Sequence, residues 1–168
     1  MQTRPDPVLP ADEDARALAL SLLRQARHAA LGVLDPEHGG PAVSLIAFGL
    51  DPEGVPLTLI SGLAPHMAAL RANPAASVMV GDPGPRGDPL THPRLMIRAE
   101  ARLVDRATGD HAQLRDHWLI AHPKAKLYID FTDFAFARLH PVSALLNAGF
   151  GRAFRLSPTE LLPGGTSA

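Results

Sequence analysis

Apolar positions follow helical spacing near the start of the chain and mostly form short runs after it. Near the start they recur at helical intervals, and carboxylates at Asp12 to Asp14 precede them, where a helix N-terminus favours negative charge. This pattern predicts a helix over 12–28. Its apolar face comprises Ala15, Leu18, Leu22, Leu23 and Ala26.

Beyond this helix, apolar residues come in short runs separated by proline, glycine and aspartate, as in 35–40 and 51–54. Runs of this length between such turns are typical of antiparallel strands joined in hairpins. We predict strands at 29–34, 41–50, 55–61, 77–80, 94–104, 134–140 and 143–154.

Strict alternation is strongest in 94–104. Leu95, Ile97, Ala99, Ala101 and Leu103 are expected on a core face, and Arg94, Arg98, Glu100 and Arg102 on the opposite face. For Arg98 we expect a solvated position paired with Glu100.

Helical segments interrupt the strands. Proline near the start and Asn-Pro at the end bracket a short helix within 64–74, a longer helix is expected over 108–122, and a helical turn over 123–128. Ser157 to Glu160 has the spacing of a capping box. The predicted class is mainly β with peripheral helices (α+β), a small antiparallel barrel, in a single domain over 12–162 with flexible segments at 1–11 and 163–168.

The composition argues against several classes of function. Sixteen Lys and Arg against seventeen Asp and Glu leave a net charge of -1, which argues against nucleic acid as a partner. The chain has no cysteine, which excludes disulfides and thiolate chemistry. No stretch approaches 18 uncharged apolar residues, so we expect no membrane span and a cytoplasmic protein.

The familiar catalytic motifs are absent from the sequence. It contains no nucleophile elbow, Walker loop, His-Glu-x-x-His or dinucleotide fingerprint, so a hydrolase, kinase or dinucleotide enzyme has little support. Its eight histidines are scattered without an i, i+4 pair on a predicted helix. We therefore expect no metal site.

The segment 59–66 contains the largest group of candidate ligand-binding residues. It is a strand that ends in Ser61 and Gly62 and leads into a helix start followed by His66. Free N–H groups, the helix dipole, a hydroxyl and an imidazole together suit a phosphate. In the alternative interpretation Gly62 makes a turn, Ser61 caps a backbone group and His66 is simply exposed. Spacing alone favours the alternative.

Two further segments carry candidate ligand contacts. Arg94 on the polar face of its strand is a possible cationic partner for a phosphate. In 149–152, glycines bracket Phe150 and precede Arg152, which permits close approach of the backbone to a ligand or a β-bulge.

Taken in order, several segments resemble the FMN-binding split β-barrel family of pyridoxamine-phosphate-oxidase-like proteins, in particular its HugZ-type haem-utilisation branch. The resemblance covers about 17–162 and is carried by Ser44-Leu45, 59–66, 73–78, 87–90, 93–95, 122–123, 128–134 and 149–153. It implies a Greek-key split barrel that forms a homodimer, with FMN in a cleft where the subunits meet. It also reverses our preference at 59–66 in favour of phosphate binding.

The resemblance also implies a set of cofactor contacts. The phosphate and ribityl side would involve Ser44, Ser61, the loop at Leu63, Ala64 and Pro65, then His66 and Arg94, and the second subunit would bring Asn147, Phe150 and Arg152.

Two departures bear on activity. Pro65-His66 stands where pyridoxamine-phosphate oxidases have an Arg-Lys pair, and their terminal Arg-x-His motif has no counterpart, which argues against that substrate. The further helical domain usual in the HugZ-type branch also has no counterpart, which argues against haem degradation. The first hypothesis is an FMN-dependent oxidoreductase acting on a small planar substrate, with no identified catalytic residue. The others are a non-catalytic flavin- or haem-binding module and a structural or regulatory barrel with an empty cleft.

Overall fold

The computed structural model describes residues 7–162. Within that range nine strands and four helices follow one another, with 3-10 turns at Pro89–Thr91 and Pro123–Leu127. The strands are β1 (Val8–Pro10), β2 (His28–Leu34), β3 (Pro41–Ala47), β4 (Gly49–Leu50), β5 (Pro56–Ser61), β6 (Ala75–Val80), β7 (Arg94–Leu103), β8 (Phe134–Asn147) and β9 (Ala153–Leu156). The helices are α1 (Glu13–Gln25), α2 (Pro65–Ala72), α3 (Gly109–Ala121) and α4 (Pro158–Leu161).

The strands form one sheet that curls into a barrel. They lie in the order β1-β9-β8-β7-β6-β2-β3, and β5 pairs with β8 away from this path. β5 also pairs with β4, and a hydrogen bond from Thr58 Oγ1 on β5 to the Ala47 carbonyl of β3, 2.7 Å long, links β5 to the β3 edge. The expected mainly-β barrel with peripheral helices is confirmed.

Two apolar clusters hold the helices to the sheet. In the larger one, Ala15, Ala19 and Leu23 of α1 pack with inward residues such as Leu31 and Ile97. The second cluster places α3 against the sheet through Trp118 and Leu114, together with Phe136 and neighbouring residues. The amphipathic spacing seen in the sequence therefore corresponds to real buried faces.

The expectation of a flexible segment at 1–11 is wrong for its second half. Val8–Pro10 forms β1, which runs parallel to β9, and the Ala11 N–H donates to the Arg155 carbonyl at 3.2 Å. Proline is compatible with this position because an edge strand leaves one row of N–H groups unpaired. Residues 1–6 and 163–168, where flexibility was also expected, lie outside the described residues.

Several boundaries differ from expectation. The strand predicted to break between 140 and 143 continues as the 14-residue β8. Its register against β7 shifts between Arg98 and Ala99, so Pro141 sits at a bulge, where a missing N–H is tolerated. The predicted 41–50 strand is interrupted at Phe48, whose fully buried side chain turns into the core.

One face of the sheet points away from the core and carries apolar side chains. The pairing registers place Leu45, Ala30, Met79, Met96 and Leu145 side by side across five strands. We call this row the outer face. Leu45 is 76% exposed, and Val43 on the same strand is 73% exposed.

Two details on β7 differ from the prediction. Glu100 pairs with Arg102 at 3.7 Å rather than with Arg98. Leu103, the last residue of the strand, is 41% exposed instead of buried. Arg98 lies between two grooves of about 460 and 600 Å³ that flank the outer face.

Candidate functional site

The turn between β5 and α2, residues 61–66, is half-buried, with Leu63 and Pro65 exposed. We call it the α2 turn. Pro65 occupies the first turn of α2, and no side chain caps the helix N-terminus at Ala64. Leu63 is 88% exposed. Pro65 lacks an N–H, and the N–H groups of Gly62, Leu63, Ala64 and Met67 all donate within the protein. Among the described residues, the His66 N–H is therefore the backbone donor of this turn that stays open to an anion, near the positive end of the helix dipole.

The Ser61 hydroxyl is already engaged. It donates to Asp133 Oδ2 at 2.8 Å and accepts the Leu63 N–H at 3.2 Å. The Gly62 N–H donates to the Asp133 carbonyl at 2.6 Å. Ser61 thus performs the backbone-capping role of the alternative interpretation, while the turn that it shapes remains open.

Unlike the Ser61 hydroxyl, the side chains of His66 and Ser44 have no hydrogen-bond partner among the described residues. Burial lowers the pKa of the partly buried His66, which favours the neutral imidazole. Ser44 lies on β3 opposite Leu31, on the partly buried side of the strand. Both side chains are therefore available to a ligand.

Arg94 and Asn147 form a second group. They are direct partners in the β7–β8 register, and Asn147 is also opposite Ala153 of β9. The Arg94 guanidinium donates to the Leu90 carbonyl at 2.9 Å and to the His92 carbonyl at 3.5 Å. These contacts use one of its terminal nitrogens, so the other N–H groups remain for a ligand.

The β8–β9 turn adds an aromatic residue to the second group. Gly149 and Gly151 adopt φ of 112° and 73°, a backbone conformation that side-chain-bearing residues rarely adopt. Between them Phe150 is 92% exposed. Arg152 lies over the Phe154 ring, 5.5 Å from its centroid. The turn therefore presents an exposed ring two residues before Arg152.

The structure separates the two groups. Ser61 pairs with Phe134 at the start of β8, whereas Arg94 pairs with Asn147 at its end. A strand of this length spans roughly 40 Å when extended. Arg94 therefore lies at the opposite end of β8 from the α2 turn of the same chain.

These side chains suit a ligand that has an anionic tail and a flat ring. His66 offers donors for a phosphate, and the exposed Phe150 with Arg152 offers a surface for a planar ring, so these side chains are of the kinds that would hold FMN. Within residues 7–162 no three His, Asp or Glu side chains converge as metal ligands.

The fold defines a class: a split β-barrel protein with peripheral helices. The pyridoxamine 5'-phosphate oxidase family matches residues 16–145, and the chain belongs to that family.

Similar proteins include haem proteins. The chloroplastic heme oxygenase HOZ of Arabidopsis thaliana is 36% identical over 117 residues, which are 69% of this chain and 34% of HOZ. The heme binding protein from Mycobacterium smegmatis is 26% identical with a TM-score of 0.79, over 95% of this chain and 61% of that one. Another solved chain is 46% identical with a TM-score of 0.82, over 92% of this chain and 99% of its own length.

This chain spans about a third of the length of HOZ, the curated relative that it matches. Among the described residues, no helix has both the length and the apolar character needed to cross a bilayer.

One residue of the site was missed. Asp133 was part of the resemblance but was given no role. Its contact with Ser61 joins residues 72 positions apart, and no local pattern in the sequence signals a pairing over that distance.

Proposed function

We propose that the protein is a homodimeric FMN-binding flavoprotein and acts as an FMN-dependent oxidoreductase on a small planar substrate. One subunit contributes Ser44 and the α2 turn with His66 to the phosphate and ribityl side. The partner contributes its second group to the ring. That second group is Arg94, Asn147, Phe150 and Arg152.

The separation of the two groups carries this proposal. Because they lie at opposite ends of β8, one chain cannot close both around a ligand of FMN size. A two-fold axis over the outer face would bring the α2 turn of one copy towards the second group of the other, since such symmetry pairs one patch with its own copy. The apolar, uncovered outer face is the kind of surface that a dimer buries.

The residues of the chain have binding and positioning roles in this proposal. FMN, when bound, supplies the redox chemistry. The α2 turn holds its anionic tail, Phe150 limits water at the ring, and Arg152 adds positive charge beside it. No catalytic acid or base is required, because a substrate laid over the ring needs orientation more than proton transfer.

The absorbance spectrum and native mass of freshly purified protein test the proposal together. We expect flavin bands and a dimer. A colourless protein that stays colourless after FMN is added would contradict FMN binding. The rate at which each candidate acceptor reoxidises the bound, reduced FMN is then compared with the rate for free FMN. If no acceptor reacts faster with the bound form, the oxidoreductase function is excluded and the protein is a non-catalytic flavin-binding protein.

His66→Ala tests the phosphate side. We expect FMN affinity to fall by about 1–3 kcal/mol. Since burial lowers the pKa of His66, its charge appears only as the pH falls through that pKa, so the loss should grow towards acid pH. Titration of flavin fluorescence from pH 8 to pH 5.5 measures this, with exposed His38→Ala as the control. An equal loss at every pH would exclude the imidazolium as the phosphate partner.

A second candidate, haem binding, rests on the similarity to the Mycobacterium smegmatis heme binding protein. The exposed apolar outer face and its flanking grooves suit a large flat ligand. Titration with haemin distinguishes the two, because a saturable Soret shift at one haem per dimer would favour haem, and its absence would favour FMN. For both candidates, cytoplasmic location remains a prediction.

A further inference from the structure

We propose that Asp133 is a positioning residue that sets the phosphate preference of the α2 turn. This inference rests on the proposed function. It concerns a residue outside the helix and strand that form the turn, and assigns separate effects to its hydrogen bonds and to its charge.

Asp133 holds the turn at two successive residues. Its carboxylate accepts the Ser61 hydroxyl at 2.8 Å, and its carbonyl accepts the Gly62 N–H at 2.6 Å. A Cβ on Gly62 would lie 2.9 Å from that carbonyl oxygen, so the contact is close enough to exclude a side chain. The path of the backbone into α2 is therefore fixed from outside.

The direction of these hydrogen bonds defines the role of Ser61. Its only hydroxyl proton goes to the carboxylate, and its oxygen accepts the Leu63 N–H at 3.2 Å. Ser61 thus transmits the position of Asp133 to Leu63. The donors for the phosphate would be the N–H and the imidazole of His66, because the neighbouring Ala64 and Met67 N–H groups already donate to the Ser61 and Ala64 carbonyls.

The negative charge of Asp133 weakens phosphate binding, whereas its hydrogen bonds favour binding by ordering the turn. Within residues 7–162 no cation forms an ion pair with it, since Arg115 pairs with the Asp130 carboxylate and Arg106 donates to the backbone carbonyls of Asp130 and Phe134. An uncompensated carboxylate one hydrogen bond from the turn repels a dianion. Asp133 therefore orders the turn through its hydrogen bonds and weakens phosphate binding through its charge.

Asp133→Asn and Asp133→Ala separate the two effects. Asparagine keeps an acceptor for Ser61 and removes the charge, whereas alanine removes both. Affinities for FMN and for riboflavin, which lacks the phosphate, are measured by flavin fluorescence. We expect Asp133→Ala to lower FMN affinity at least tenfold with riboflavin changed less than twofold, and Asp133→Asn to bind FMN at least as tightly as the wild type.

A merely structural role would leave the ratio of FMN to riboflavin affinity unchanged in both variants, and that result would overturn the proposal. Ser61→Ala supplies a double-mutant cycle. If Ser61 acts only through Asp133, the double variant loses no more FMN affinity than Asp133→Ala alone. Additive losses would show that Ser61 contacts the phosphate directly and would overturn the relay.

Hydrogen exchange of the Leu63 amide distinguishes failure here from failure of the proposed function, because it needs no ligand. Faster exchange in Asp133→Ala but not in Asp133→Asn would support the hold on the turn, and equal rates would exclude it. Equal wild-type affinity for FMN and riboflavin would instead overturn the phosphate site, and with it the role of Asp133 towards phosphate, whatever the exchange rates.

Discussion

Gly62 illustrates how much of this site depends on single residues. Its φ lies outside the left-handed region, so the turn does not require glycine for conformational freedom. Glycine is needed because the Asp133 carbonyl occupies the space of a Cβ. The sequence identified a turn at Gly62, but the steric reason comes from a residue on another loop.

At the residue scale, we expect Gly62→Ala to destabilise the protein by about 1–3 kcal/mol, as overpacking does where the neighbouring atom is backbone. Urea denaturation measures this. Gly40→Ala is the matched control, because a Cβ there meets no atom within 4 Å and its φ is ordinary. Equal midpoints for the two variants would contradict the close contact at Gly62.

Among the elements, β8 organises the molecule. It pairs with β5, β7 and β9, and Arg138 on it joins two other elements. Arg138 Nε contacts Asp51 Oδ2 at 2.7 Å, and its terminal nitrogens bind both carboxylate oxygens of Asp110 on α3. The guanidinium holds the pKa of Asp110 below its ordinary value. Arg138 therefore ties α3 and the β4–β5 loop to the sheet.

At this scale, Arg138→Met should destabilise the fold by about 3 kcal/mol, because the Asp51 side chain is fully buried and would lose its cation. Thermal and urea unfolding followed by tryptophan fluorescence measure the loss, since Trp118 lies on α3. Arg102→Met is the control, as its pair with Glu100 is largely exposed. A similar small change in both variants would show that Arg138 does not fix α3.

For the whole molecule, the outer face and the split site are the decisive features. The exposed row that includes Leu45 and Met79 has no helix over it, and the two groups of site residues lie far apart on the chain. The proposed homodimer would account for both features. Stability of the barrel and assembly of the site are then separable properties.

Leu45→Glu tests this separation. Because Leu45 is 76% exposed, the substitution should leave the melting temperature of the isolated chain nearly unchanged. It should convert a dimer to a monomer in native mass and lower FMN affinity at least tenfold. Ile120→Glu, at an 81% exposed position on α3 outside this face, is the control. A Leu45→Glu variant that remains dimeric and binds FMN normally would place the interface elsewhere.

Local pattern predicted much of the fold. The alternation of β7 and the proline-bracketed α2 were confirmed to within a few residues, because amphipathic spacing and turn chemistry act over neighbouring positions. Predictions failed where distant contacts decide. The continuous β8 depends on a bulge at Pro141 and Val142 within the strand, and β1 exists only because β9 provides an edge.

The sequence by itself determined most of the elements, the apolar core and the position of the α2 start, since each depends on residue type and short-range spacing. Only the tertiary structure decided that the Ser61 hydroxyl is committed to Asp133 and that Arg94 lies at the far end of β8 from the α2 turn. The reason is physical: hydrogen-bond partners and separations between remote segments are set by strand register and packing, which no local pattern specifies.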